Sequence, residues 1–455
     1  MSGIMEQKGT KTLRAVTVFC VMVLSAMTSG WMLTAGPLGD HESFVAVTAR
    51  EMIQNDDYIV PICNGEPRLQ KTPLNYWLVI GTAKFTKTVD ELAARLPSML
   101  LAMLSTAAIL YFVTAILDFS TAALAALVWS TSLGFVRYGH NARPEMSLAC
   151  FVTIAMLTFY TAMTSPQRKR QIIYMLIFWT SFALAMLAKG PAPLPLVIVP
   201  LFLFVLITRQ WKFVLKALPV AGPVIFLVIV LPWPILLAAR LIQSTEAAQS
   251  MNVVDFWQRE FVSRFMGEYA AGSKPFYFYG YVMFRFMLPW MAFVPIALLS
   301  PFYKIWGKNQ KPMLFFWLWC VGNLAFMSIS GGKRSHYILS AMPALAVLIG
   351  ISLQDMFFEQ KAYTKGFIRN LLLGHLGAIG VVVIAVPVYM SKKQPELFQT
   401  AITFSAITLI TIVTFSTLVL KKKNTYACVV FFAGLAILMS YTCLLYTSPS
   451  PRDRS

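Results

Sequence analysis

Long apolar runs alternate with short basic loops along almost the whole chain, and only two long stretches, 35–96 and 240–278, interrupt that pattern with dense polar content. The runs lie near 14–34, 97–117, 119–136, 146–164, 172–188, 191–208, 217–239, 279–301, 312–329, 337–353, 369–390, 399–420 and 425–442. Each comes close to the roughly 20 residues that a helix needs to cross a hydrocarbon layer of about 30 Å. Together they predict an all-α polytopic bundle of about 11–13 spanning helices. The first run follows Lys8, Lys11 and Arg14 and lacks a small-x-small cleavage site, so it reads as a retained signal anchor. Inside 35–96 the period changes. Phe44, Val45, Thr48, Ala49, Met52 and Ile53 form one stripe of a short helix lying in the membrane interface, with Asp40 just before its start. Asn55-Asp56-Asp57 and Asn64-Gly65-Glu66-Pro67 read as turns.

Composition agrees: of 455 residues 58% are hydrophobic and 13% charged, with mean hydropathy +0.66, far from soluble globular usage. The net charge of +19 would suggest nucleic acid in a soluble protein. Here the cations sit between apolar runs and mark topology and the membrane surface, so no nucleic-acid partner is expected. The six cysteines are scattered, without the paired spacing of a disulfide framework or a zinc ribbon. The expected organisation is one transmembrane domain over 1–442. Residues 443–455 break the pattern, look like a translated transposon-end adapter and are expected to be a non-native scar.

Basic triplets such as Arg168/Lys169/Arg170, Arg209/Lys212/Lys216 and Lys421/Lys422/Lys423 fall at alternate loops, which places the N-terminus inside. Five polar segments then emerge on the outer face: 35–96, Arg137 to Glu145, Lys189, 240–278 and Gly331 to His336. Charges gathered at one membrane face point to chemistry there. Asp40 has two readings, an N-cap that satisfies free N–H groups or an ionised general base. Arg68 and Lys71 are either snorkelling anchors or phosphate ligands, and Lys189 carries the same pair of readings. Lys333 and Arg334 follow Gly331-Gly332, whose bare backbone suits a phosphate as well as a solvated turn. Pro144-Glu145 fits a helix start, with proline first and an acid in the first turn.

The ordered set Asp40-x-Glu42, Gly65-x-Pro67-Arg68-x-x-Lys71-x-Pro73-Leu74-x-Tyr76-Trp77, Ala94-Arg95-Leu96-Pro97-Ser98, Arg143-Pro144-Glu145, Leu187-Ala188-Lys189-Gly190-Pro191, Arg264-Phe265, Pro275 to Tyr279, Pro289-Trp290 and Lys333-Arg334-x-x-Tyr337 resembles the polyprenyl-phosphate-sugar-dependent glycosyltransferases. These include the protein O-mannosyltransferases and the aminoarabinose transferase that modifies lipid A. The resemblance runs from about Leu33 to Pro343. It implies a GT-C bundle with interfacial helices in the first outer loop. It also implies inverting transfer of a sugar from a polyprenyl phosphate to a lipid, glycan or protein acceptor on the outer face of a bacterial inner membrane. Asp40, Glu42 and Glu145 are the implied catalytic carboxylates, and Arg68, Lys71, Tyr76, Lys189, Arg264, Lys333, Arg334 and Tyr337 the implied donor-binding residues. Two departures stand out: His41 separates Asp40 from Glu42, and Gln70 and Phe261 stand where the lipid A branch has a Glu and a His able to hold zinc. No cofactor and no metal are therefore expected beyond the lipid-linked donor. A lipid-linked sugar transporter or flippase is the rival reading, since it would use the same basic lining, but the chain shows no matching broken helices in two halves.

Overall fold

The computed structural model describes residues 2–30, 33–34, 36–216, 220–243, 274–302, 309–359, 363, 365–393, 395, 398–420, 430 and 434. In chain order its helices are α1 (Ser2–Gly30), α2 (Asp40–Gln54), α3 (Leu74–Thr86), α4 (Glu91–Ile116), α5 (Phe119–Ser130), α6 (Leu133–Gly139), α7 (Pro144–Thr164), α8 (Arg168–Lys189) and α9 (Pro193–Thr208). They continue with α10 (Trp211–Lys216), α11 (Ala221–Val230), α12 (Pro232–Gln243), α13 (Phe278–Phe286), α14 (Val294–Leu299), α15 (Gln310–Ile329), α16 (Met342–Gln354), α17 (Lys365–Lys393) and α18 (Phe398–Leu420). Among the described residues seven helices are long and apolar enough to cross a membrane, or eight if α5 and α6, bent by 61°, make one span.

The gap between that count and the predicted 11–13 has identifiable sources. The predicted 191–208 run is the short 16-residue helix α9, begun at Pro193. The 279–301 run is not one helix: α13 ends at Phe286 and a 3-10 turn over Trp290–Phe293 precedes α14. Pro289 stands at that break, where it has no N–H to continue a helical ladder. α17 and α18 fall on two further predicted runs, whereas 425–442, nearly all of 240–278 and the whole of 443–455 lie outside the described residues.

α7 is the axis of the bundle, buried from Glu145 through Ala162 and packed against α4 and α8. A helix apolar all round belongs inside, and lipid offers no hydrophobic drive to pack it, so close contact must do so. α5 and α16 show how: a Cβ on Gly350 would lie 2.8 Å from the backbone nitrogen of Ala125. The α5/α6 break is closed by polar contacts, Leu133 N–H donating to Leu288 O at 2.9 Å and Trp290 Nε1 to Thr131 Oγ1 at 3.0 Å. Backbone freed at membrane depth must find such partners.

Residues 36–90 hold more structure than one interfacial helix. The buried side of α2 is Val45, Ala46, Thr48, Ala49 and Met52, packed on Tyr76, Val79, Ile80 and Ala83 of α3 and on Ala93 and Ala94 of α4. Phe44 and Ile53, expected in the stripe, are exposed, because α3 and α4 cover a narrower arc than a membrane surface would. The Asn64-Gly65 turn links a two-stranded antiparallel hairpin, β1 (Ile62–Cys63) and β2 (Glu66–Pro67). Both turn residues have positive φ, 56° and 82°, as a two-residue hairpin turn of the primed type needs. The carboxylate of Glu51 accepts from both turn N–H groups, at 2.7 and 3.1 Å, which fastens the hairpin to α2.

At the far end of the bundle, Arg168 Nη2 donates to Lys216 O at 2.8 Å, so two of the basic loops are neighbours. Single cysteines placed at exposed Asn64 and exposed Lys169 should be labelled by an impermeant maleimide from opposite faces of sealed vesicles. Labelling of both from one side would show that the hairpin and the α7–α8 loop share a face.

Candidate active site

The site begins at the first turn of α7. Pro144 occupies the first helical position and Glu145 the second, where proline's fixed φ and a carboxylate both favour a helix start. The Glu145 side chain is 3% exposed. Lys189, at the last turn of α8, approaches its Oε1 at 3.2 Å, His336 Nε2 at 3.4 Å, and Arg143 Nε approaches its Oε2 at 3.4 Å. Lys189 also stands 5.4 Å from the centroid of the Tyr337 ring, and His336 packs edge-on against Tyr138 and Tyr337. One carboxylate thus faces a guanidinium, an amine and an imidazole, so basic groups outnumber acidic ones in the pocket.

Asp40 and His41 form the rim. The helix α2 is capped by Gly39, whose N–H donates to Glu42 Oε2 at 3.0 Å. Asp40 is exposed and, among the described residues, its carboxylate has no hydrogen-bond or ion-pair partner. That removes the N-cap reading of Asp40: Glu42 and Gly39 do the capping. His41, also exposed, has its pKa lowered first by partial desolvation, then by Arg143, with Arg334 and Lys71 acting the same way and Glu145 opposing. These four groups therefore lie within electrostatic reach of α2's first turn.

Glu42, expected to be catalytic, is 5% exposed and fully committed. Its Oε1 accepts from Arg95 Nε at 3.0 Å and Ala142 N–H at 2.9 Å, and its Oε2 from Arg95 Nη2 at 3.0 Å and Gly39 N–H. Arg95 in turn donates to the carbonyls of Leu33 and Pro37 at 2.8 and 3.0 Å. The pair clamps Leu33 and residues 36–39 between α4 and residues 140–143, so it orients Asp40 without offering a free lone pair.

The remaining expected ligands divide. Tyr76 is 1% exposed, inside the α2/α3 packing, and burial pushes its hydroxyl up to about 12 against the opposing effect of neighbouring Arg68. It does not line the pocket. Arg68 stands 4.2 Å from the Phe44 ring centroid, a cation–π contact on the outer side of α2. Lys333 donates to Ser330 O at 2.8 Å, closing its own turn, while Arg334 is exposed and its N–H meets the buried Tyr279 hydroxyl at 3.3 Å. Lys71 is half-buried and precedes Thr72, whose Oγ1 accepts from Gly190 N–H at 3.3 Å, beside Lys189. Arg264 lies outside the described residues. The sequence reading did not single out Arg95, Arg143 or His336, although the first two stood inside quoted motifs. Among the described residues no group of three His, Cys, Asp or Glu side chains is placed to hold a metal ion.

Residues 39–247 match the family described as dolichyl-phosphate-mannose-protein mannosyltransferase. An uncharacterised protein of Aquifex aeolicus is 31% identical over 353 residues, which cover 75% of this chain and 74% of that one. The undecaprenyl phosphate-alpha-4-amino-4-deoxy-L-arabinose arabinosyl transferase of Yersinia enterocolitica is 28% identical over 75% of this chain but only 60% of its own length. The chain thus spans about three fifths of that curated relative. The structure resembles ArnT from Cupriavidus metallidurans bound to undecaprenyl phosphate, with TM-score 0.76 at 20% identity, over 95% of this chain and 76% of that one. It also resembles the oligosaccharyltransferase AglB from Archaeoglobus fulgidus, with TM-score 0.55 at 15% identity, over 81% and 55%. Fold and site together define a multi-pass GT-C membrane protein. The chain belongs to the polyprenyl-phosphate-sugar-dependent glycosyltransferases.

Two stability experiments follow. Glu145→Gln leaves Lys189 buried without its carboxylate and should destabilise the detergent-solubilised protein by about 3–5 kcal/mol. The double variant Glu145→Gln/Lys189→Met should melt closer to the unsubstituted chain than the single one; additive losses would mean the two side chains are not coupled. For Glu42, burial raises the pKa, but the Arg95 hydrogen bonds and the Ala142 and Gly39 N–H groups outweigh it, and the net shift is downward. A depressed carboxyl stabilises the fold above its unfolded pKa of about 4.3 and loses that contribution as pH falls towards its folded value. Melting curves should therefore show a loss of stability below about pH 4.3 that Glu42→Gln, already weakened, lacks. Parallel acid profiles for both proteins would contradict this.

Proposed function

We propose that the chain moves a sugar from a polyprenyl-phosphate donor to an acceptor hydroxyl at the outer face of a bacterial inner membrane. The observation that carries this reading is the pocket around Glu145, where two basic side chains face one carboxylate at the start of α7. Uncompensated charge near the membrane is costly, and an anionic lipid headgroup held there would offset it. Lys189 and Arg143, with Lys71 and Arg334 at the rim and Arg264 as a further contributor, would hold the phosphate as its charge grows in the transition state. Asp40 would take the proton of the acceptor hydroxyl as that oxygen attacks the anomeric carbon and the bond to the phosphate oxygen breaks, so the configuration inverts and polyprenyl phosphate leaves. The Glu42–Arg95 clamp fixes the strap that carries Asp40. The acceptor hydroxyl belongs to a lipid, a glycan or a protein, and Gln70 gives an amide where the aminoarabinose branch has a carboxylate.

Asp40→Asn keeps the size of a side chain that has no hydrogen-bond or ion-pair partner among the described residues and removes its basicity. In nanodiscs carrying lipid-linked sugar it should fold and bind donor as the unsubstituted chain does, yet lose turnover on the order of 10²–10⁴-fold. Arg334→Ala should weaken donor binding as well as rate. Near-full turnover by Asp40→Asn would remove the base assignment, and donor movement across the bilayer without sugar transfer would favour the flippase.

A further inference from the structure

The inner end of the bundle takes no part in that chemistry. There Arg168, Gln171, Lys212, Phe213, Leu215 and Lys216 line an open cavity of about 630 Å³. It lies between the first turn of α8 and the short helix α10. α8 has 22 residues, about 33 Å of helix, and carries Lys189 at its other end. The cavity is therefore about one bilayer away from Glu145, at the end the basic loops assign to the cytoplasm.

Its walls are fixed in place. Arg168 donates to Lys216 O at 2.8 Å and to Gln171 Oε1 at 3.3 Å, and Gln171 Nε2 donates to Ser165 O at 2.8 Å. Phe213 meets Phe159 of α7 edge-on at 5.6 Å, which seats α10 on the bundle. Lys212 and Lys216 are four residues apart and so share one face of α10. The lining has three cations and no carboxylate, and among the described residues none of the three is ion-paired. Beside them Leu215 is 72% and Trp211 42% exposed, apolar surface that a free anion has no use for and an acyl chain does.

We infer that this cavity binds the headgroup phosphate of an anionic phospholipid of the inner leaflet. The guanidinium and the two ammonium groups meet the phosphodiester, and the acyl chains lie along Leu215 and Trp211. Basic pockets between helices at a cytoplasmic surface suit such headgroups. The occupant is separate from the lipid-linked sugar, which belongs at the opposite face.

The full chain, reconstituted in phosphatidylcholine nanodiscs containing phosphatidylglycerol and re-extracted in mild detergent, provides the test. Phosphatidylglycerol that co-purifies is measured by mass spectrometry. Lys212→Gln/Lys216→Gln should lower retention roughly tenfold or more, while Lys84→Gln/Lys87→Gln on the outer segment should leave it unchanged. Retention by the unsubstituted chain should also fall with added salt, a measurement that needs no variant to fold. Equal loss in both variants, salt-independent retention, or full displacement by inorganic phosphate would each overturn the proposal, the last by making the cavity a site for free phosphate.

Discussion

A buried carboxylate needs a positive partner, and in this protein that requirement is met by two basic side chains from separate parts of the chain, Arg143 and Lys189. Glu145 sits buried in the first turn of α7, and Arg143, Lys189 and His336 close around it. α8 must end, and the 3-10 turn Ser335–Ala341 that carries His336 must begin, at the level where α7 starts. The long packed contact of α7 with α8 aligns their ends so that this holds. The cluster is thus a product of helix packing and a reason for its register, and in it basic groups outnumber acidic ones.

The second constraint lies in the strap that precedes α2. Asp40 and Glu42 are two residues apart but have opposite environments. Glu42 is sealed by Arg95 and two backbone N–H groups, whereas the Asp40 carboxylate has no hydrogen-bond or ion-pair partner among the described residues. A base must be available to an incoming proton, and a carboxylate already accepting four hydrogen bonds is not. The division of labour follows from helix geometry: residue 42, one turn into α2, points back to the cap and inward to α4, and residue 40 begins the helix at its solvent edge.

Charge is also sorted between the two ends of the bundle. At the outer end cations are interleaved with carboxylates, and among the described residues Arg95, Arg143 and Lys189 are each paired with one. At the inner end Arg168, Lys212 and Lys216 line an open cavity without a carboxylate. The first arrangement suits a reacting centre, whose charges must be balanced at rest and in the transition state; the second suits the steady field of an anionic surface.

Local pattern alone carried much of this. Apolar length located the long helices, Pro144-Glu145 announced the start of α7, Asn64-Gly65 announced a turn though not its hairpin, and alternation of basic loops put Glu145, Lys189 and His336 on one face. Each of these rests on interactions within a few residues or on the thickness of a bilayer, which a sequence states directly. The pairings did not follow from it. Glu42 and Arg95 are separated by 53 positions and Glu145 and Lys189 by 44, and nothing periodic links them. Whether Glu42 was a free acid or a clamp, whether Tyr76 faced a ligand or the α2/α3 core, and whether His336 reached Glu145 depended on how helices pack. Packing at membrane depth is decided by the fit of small side chains such as Gly350 against Ala125, a property of two surfaces together and of neither strand of sequence alone.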